Sequence, residues 1–211
     1  MVQTVIFDFD MTLVDSIYAI TRGLNKMAAH FNLRQVDDSD TRRVMSLPPK
    51  DFWSTLWGPH DEAWTDYFLK HVAAEEGDYL EPAPGATDLL SRLRAEGKSL
   101  GLATNRHDAW GALASVGLGK YFDTAIGAGD VAEGKPAPDM LLAIMEQMQS
   151  DPGETVFIGD SVSDMQAAVR AGIRGAGVTD GGTSREDLLK AGAWQVRQNL
   201  SELSDFLCSP Y

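Results

Sequence analysis

The chain has 211 residues, enough for one large domain or for a core with a smaller satellite, and 44% of them are hydrophobic, as in a globular protein. Thirty-one acidic against eighteen basic residues leave a net charge of -13, which repels nucleic acid and anionic membranes and requires that any anionic ligand be met by a local positive site. No stretch nears the roughly 18 consecutive apolar residues of a membrane span, Met1-Val2-Gln3-Thr4 has neither basic region nor cleavage site, and the single cysteine, Cys208, can form no internal disulfide, so a cytoplasmic protein is expected.

Val5-Ile6-Phe7 reads as a short buried strand and runs directly into Asp8 and Asp10. From about Ile17 to Leu80 the pattern is helical throughout. Ile17, Ile20, Leu24, Met27, Ala28 and Phe31 recur at helical spacing behind a cap at Asp15 or Ser16, and Trp64, Tyr67 and Phe68 mark another helix. Glu81-Pro82-Ala83-Pro84-Gly85 reads as a hinge or linker. Beyond it, apolar runs at Leu100 to Ala103, Thr124 to Ile126, Thr155 to Ile158 and Ala176 to Val178 read as further strands. Helical patterns fall between them: Leu89, Leu90 and Leu93 stopped by Gly97, then Met140, Leu141, Ile144, Met145 and Met148 after Pro136 and Pro138. This alternation predicts an α/β fold, a parallel sheet covered on both faces, with a helical insertion behind the first strand. The expected division is an α/β core of residues 1–15 and 82–211 and a helical domain of residues 16–81.

In an open parallel sheet, ligands bind beyond the carboxyl ends of the strands. Asp8 and Asp10, Thr104 and Asn105, and Gly159-Asp160-Ser161 each follow a strand; Asp164 comes one helical turn later, and Lys135 precedes the helix after the Thr124 strand. Each has a plainer explanation alone: Asp160 or Asp15 as a helix cap, Thr104-Asn105 as a turn, Lys135 as a solvated side chain. Together, at one edge, they point to a ligand site. Two carboxylates about 4 Å apart repel by roughly 4 kcal/mol at an effective dielectric near 20, so a cation is needed. Oxygen-only donors favour a hard ion such as Mg²⁺. The four histidines, His30, His60, His71 and His107, are scattered, without zinc-site spacing.

Asp8-Phe9-Asp10-Met11-Thr12, Thr104-Asn105, Lys135 and Gly159-Asp160-Ser161-Val162-Ser163-Asp164 resemble the four ordered motifs of the haloacid dehalogenase superfamily, particularly its phosphoglycolate phosphatase-like branch. Thr12-Leu13-Val14-Asp15-Ser16, Pro84-Gly85 and Gly134-Lys135-Pro136 look like that branch too, and the likeness spans nearly the whole chain. It implies a Rossmann-like core with a small inserted α-helical cap. One departure stands out: Met11 occupies a position where most relatives have glycine, which bears on the path of the loop and on where this side chain points.

The resemblance further implies an aspartyl-phosphate mechanism with Asp8 as nucleophile and Asp10 as the acid and base, its pKa raised by crowding relative to Asp8. It implies Mg²⁺ held by Asp8, the Asp10 backbone carbonyl and Asp160, with Asp164 in the outer shell. Thr104 and Asn105 would bind phosphoryl oxygens, and Lys135 would neutralise charge. Arg42 to Lys50 resembles the loop of the cap that faces the active site, with Ser46 where many relatives have glycine, and Arg42, Arg43 or Lys50 could hold a second anionic group of the substrate. Phe52, Trp53, Trp57, Trp64, Tyr67 and Phe68 read as the core of the helical bundle.

The expected activity is therefore Mg²⁺-dependent hydrolysis of a small phosphorylated metabolite, phosphoglycolate-like or a sugar phosphate, by a monomer or homodimer. A β-phosphoglucomutase-like phosphomutase uses the same aspartates and is the alternative. Dehalogenation is disfavoured because a departing halide needs no proton from Asp10, and a Schiff base at Lys50, as in phosphonatases, is disfavoured because those enzymes lack this acid. A phospho-accepting receiver domain has its aspartates, threonine and lysine in another order and carries no such insertion.

Overall fold

The computed structural model describes residues 2–45, 47, 49–59, 61–72 and 79–207. The chain divides into two compact units, Met1–Val14 with Pro82–Tyr211, and Asp15–Glu81.

The first unit begins with β1 (Thr4–Phe7). Val5, Ile6 and Phe7 are completely buried, as expected of a strand covered on both faces. Two-residue strands β2 (Val14–Asp15) and β3 (Glu81–Pro82) mark the passages between the units and pair with each other. There follow α5 (Ala86–Ala95), β4 (Ser99–Thr104), α6 (Ala109–Ser115), β5 (Thr124–Gly127), α7 (Asp139–Met148), β6 (Thr155–Gly159), α8 (Val162–Ala171), β7 (Arg174–Val178), α9 (Arg185–Lys190), β8 (Gln195–Arg197) and α10 (Leu200–Leu207). The main sheet has six strands in the order β5-β4-β1-β6-β7-β8, and every pairing is parallel.

Helix boundaries follow local chemistry. Gly97, at φ +74°, ends α5 in a left-handed turn, where Lys98 N donates to Leu93 O. On α5, Leu89, Leu90 and Leu93 are buried, each worth about 1.5–3 kcal/mol relative to exposure. Met140, Leu141 and Ile144 of α7 and Ala167 and Ala168 of α8 pack with Ile6, Ala103 and Phe157 in one cluster. The sequence pattern marks every strand of the main sheet except β8, at one edge, and does not mark the two-residue strands β2 and β3. In β8, Val196 is the one apolar residue, buried between Gln195 and Arg197, too short a run to stand out.

Register positions the site. Phe7 lies opposite Leu102 on one side and Ile158 on the other. Asp8, Ala103-Thr104 and Gly159-Asp160 therefore emerge together at one sheet edge.

The second unit contains α1 (Ile17–Phe31), α2 (Asp38–Met45), α3 (Pro49–Trp57) and α4 (Glu62–His71). Its core is Ile20, Leu24, Val36, Val44 and Leu56, with Phe52, Trp53, Trp57 and Phe68 packed against it, so these aromatics serve the bundle interior. The cap of α1 is shared: Ser16 occupies the cap position without a side-chain bond, while Asp15 Oδ1 accepts from Ile17 N at 3.2 Å. Ser46, His60 and Cys208 lie outside the described residues.

Candidate active site

Four side chains from three loops and one helix start converge at the carboxyl edge of β1, β4 and β6. Carboxylate oxygens of Asp8, Asp160 and Asp164 lie within 4.8 Å of one another, all buried. Lys135 Nζ donates to Asp8 Oδ1 at 2.5 Å and to Ala103 O at 3.0 Å, bridging the ends of adjacent strands, and lies 2.8 Å from Asp164 Oδ1. Thr12 Oγ1 donates to Asp160 Oδ1 at 3.3 Å.

The start of α8 aims Asp164. Ser161 is the N-cap and accepts from Asp164 N, while Asp164 Oδ2 accepts from Ser161 N at 3.0 Å and from Ser161 Oγ at 2.6 Å, a closed capping box. One Asp164 oxygen thus holds the helix, and the other is turned to Lys135. The helix-cap explanation of Asp160 fails here, because Ser161 performs that task and leaves Asp160 to the cluster. Two glycines make room: a Cβ on Gly159 would lie 2.5 Å from Asp164 Cγ, and one on Gly181 would lie 2.1 Å from Asp160 Oδ2.

Charge in this pocket is unbalanced. Burial lifts the Asp8 carboxyl to about 7, with Lys135 pulling it down and Asp164 and Asp10 pushing it up. Asp160 is driven well above the usual carboxylate range by burial, then by the Asp164 and Asp8 charges. Burial lowers the Lys135 ammonium, but Asp164 and Asp8 outweigh it and hold the ion charged. One ammonium faces three carboxylates. Asp164 Oδ1 is close enough to Lys135 for an ion pair yet off the line of a hydrogen bond, and it has no other donor among the described residues. An all-oxygen, anionic, under-compensated cluster fits a hard divalent cation.

Around this cluster the remaining residues take defined places. Asn105 braces Lys135 through the backbone, its Oδ1 accepting from Lys135 N at 2.9 Å and its Nδ2 donating to Lys135 O at 3.2 Å. Thr104 is buried, and its Oγ1 accepts from Arg106 N at 3.2 Å. Asp10 is held in a two-point fork by Arg106, Nε to Oδ2 at 2.8 Å and Nη2 to Oδ1 at 2.7 Å. Sequence reasoning passed over Arg106; a cation directly after Thr104-Asn105 was the available sign. Met11 adopts φ +59° with its side chain buried, so the methionine itself takes the left-handed path that glycine would follow without the ~1–2 kcal/mol cost.

In the helical unit, Arg43 Nη2 lies 3.0 Å from Asp40 Oδ1 on an exposed surface, and Arg42 is exposed. The Lys50 side chain lies outside the described residues. His30, His71 and His107 are exposed. An open hollow of about 600 Å³ beyond β7 and β8 has none of the clustered aspartates in its wall. Its Arg185 and Arg197 both donate to Val196 O, so no convergent chemistry is offered there.

The sequence profile of the haloacid dehalogenase-like hydrolases matches residues 5–178. The chain belongs to this family. It is 31% identical over 224 residues to a phosphoglycolate phosphatase of Rhodospirillum rubrum, an alignment covering 100% of this chain and 92% of that one. Among solved structures, a haloacid dehalogenase-like hydrolase candidate from Bacteroides fragilis superposes with a TM-score of 0.88 at 24% identity, over 96% of this chain and 100% of that one. A candidate β-phosphoglucomutase from Thermotoga maritima gives 0.74 at 25% identity, over 97% and 96%. These likenesses place this haloacid dehalogenase-like hydrolase on the phosphoglycolate phosphatase-like branch, as a hydrolase of the phosphatase type.

Proposed function

We propose that the chain hydrolyses the phosphate monoester of a small metabolite, phosphoglycolate-like or a sugar phosphate, through a phosphorylated Asp8, with residues 16–81 as its cap domain. The observation that carries this reading is the meeting of Asp8, Asp160 and Asp164 around Lys135 at the carboxyl edge of a parallel sheet.

In the first step an Asp8 carboxylate oxygen bonds to phosphorus while the bond from phosphorus to the ester oxygen breaks, and Asp10 delivers a proton to that leaving oxygen. In the second, water bonds to phosphorus, Asp10 takes the water's proton, and the bond to Asp8 breaks to release phosphate. Lys135, fixed by Asn105, places a permanent positive charge beside Asp8. Thr104 Oγ1 accepts from Arg106 N and so keeps its own hydroxyl proton for a phosphoryl oxygen. Asp8, the Asp10 backbone carbonyl and Asp160, supported by Asp164, would hold Mg²⁺, which when bound offsets the charge on the transferring phosphoryl group.

Phosphate release from a panel of phosphorylated metabolites, with and without Mg²⁺, tests the reading. Release from at least one that depends on Mg²⁺ and disappears in Asp8→Asn is the expected result; release undiminished by Asp8→Asn would overturn it. The likeness to a candidate β-phosphoglucomutase supports a second reading, transfer of the phosphoryl group back to a bound sugar phosphate. Isomerisation that requires a sugar bisphosphate, with little free phosphate, would identify that case.

A further inference from the structure

We infer that Arg106 is a specificity-determining residue that captures a second anionic group of the substrate, a carboxylate or another phosphate, by exchanging it for Asp10. The inference rests on the phosphatase reading above and names the substrate class for that same site.

The site has two cations at graded depth. Lys135 is enclosed, its side chain 3% exposed, while Arg106 and Asp10 sit at the rim with side chains 19% and 18% exposed. Arg106 is thus the more open of the two, placed for a group of the substrate that lies outside the phosphoryl position beside Lys135. The Asp10–Arg106 fork has the planar two-point geometry with which guanidinium recognises carboxylate or phosphate, and a lysine cannot reproduce it. Replacing Asp10 by a substrate anion keeps the guanidinium paired and frees the Asp10 carboxyl to turn toward the leaving oxygen.

Several contacts hold Arg106 in this place. Ala128 N donates to Arg106 O at 2.8 Å and Gly129 N to His107 O at 3.2 Å, laying the loop along the end of β5. A Cβ on Gly127 would lie 2.6 Å from Arg106 O and 2.8 Å from His107 O, so the approach depends on that glycine. The guanidinium also lies over the Phe9 ring, 5.2 Å from its centre, which directs it toward the β1 loop. In a chain of net charge -13, a cation so fixed beside the phosphoryl site is a selective feature.

The test compares kcat/KM for three esters on the same two-carbon frame: phosphoglycolate, ethyl phosphate and ethylene glycol bisphosphate. Wild-type protein is expected to favour one of the two doubly anionic esters over ethyl phosphate by about ten- to a hundredfold, the scale of hydrogen bonds to charged groups. Arg106→Gln should reduce that ratio at least tenfold, and Arg106→Lys, which keeps charge without the fork, should retain part of it. Which doubly anionic ester loses its advantage tells carboxylate from phosphate. A ratio unchanged in Arg106→Gln, or equal losses on all three esters, overturns the inference while leaving the phosphatase reading intact. Absence of phosphate release from every ester and from the wider metabolite panel would overturn both. Thermal unfolding of each variant confirms folding, and should Arg106→Gln not fold, the Arg106→Lys ratio decides.

Discussion

Lys135 Nζ and Asp8 Oδ1 lie 2.5 Å apart although 127 residues separate them in sequence. The pair is enclosed, so its partners feel little screening, and removal of either leaves the other charge without compensation. Lys135→Met is therefore expected to destabilise the protein by about 3–5 kcal/mol and to lower phosphate release by roughly a hundredfold or more. Urea unfolding and steady-state assays check both numbers. A variant as stable and as active as wild type would show that the ammonium contributes nothing to the cluster.

The carboxyls make stability depend on pH and on cation together. Asp8, near 7, and Asp160, well raised, bind protons more tightly in the folded chain than when unfolded. The folded state then holds more protons between about pH 4 and 7, so these groups cost stability progressively as pH rises through that window. Lys135 is raised as well, so its contribution is present in full throughout that window and is lost only at much higher pH, as the ammonium deprotonates in the folded chain. A bound divalent cation favours the ionised carboxylates. Mg²⁺ is expected to raise the Tm more at pH 8 than at pH 5, and equal shifts at both would contradict the assignment of these acids as its ligands.

Asp160→Asn removes one buried carboxylate, and with it one of the proposed metal donors, while preserving shape. The Mg²⁺ concentration for half-maximal phosphate release should rise at least tenfold, on the order of what loss of groups supporting a metal site costs. Stability without added metal should hold or increase, because Asp160 is penalised by burial and by Asp164. A titration with Mg²⁺, paired with thermal unfolding, reads both.

Gly181→Ala would place a methyl carbon 2.1 Å from Asp160 Oδ2, so Asp160 must move. The expected result is an overpacking cost of about 1–3 kcal/mol and weaker Mg²⁺ activation. Gly119→Ala, where a Cβ meets nothing within 4 Å, is the control and should change neither.

Much of this molecule can be read along the chain because the information is local. An apolar run such as Val5-Ile6-Phe7 declares a buried strand, and the spacing of Leu89, Leu90 and Leu93 declares a helix face. Asp8, Asp160, Asp164 and Lys135 stand at strand ends or helix starts, where a parallel sheet gathers ligands, so their meeting was foreseeable. Asn105 was foreseen at the site but not as the brace of Lys135, which needs the two loops side by side.

Tertiary structure alone decided who faces whom. Parallel register sets β4 beside β1 and carries Arg106 onto Asp10 across 96 residues. Capping geometry divides Asp164 between a helix and a charge cluster, and the closing turn after Phe9 forces Met11 into a left-handed backbone. Periodicity records how each segment meets solvent and core, whereas these pairings depend on strand order and on atoms from distant segments sharing the same few ångströms.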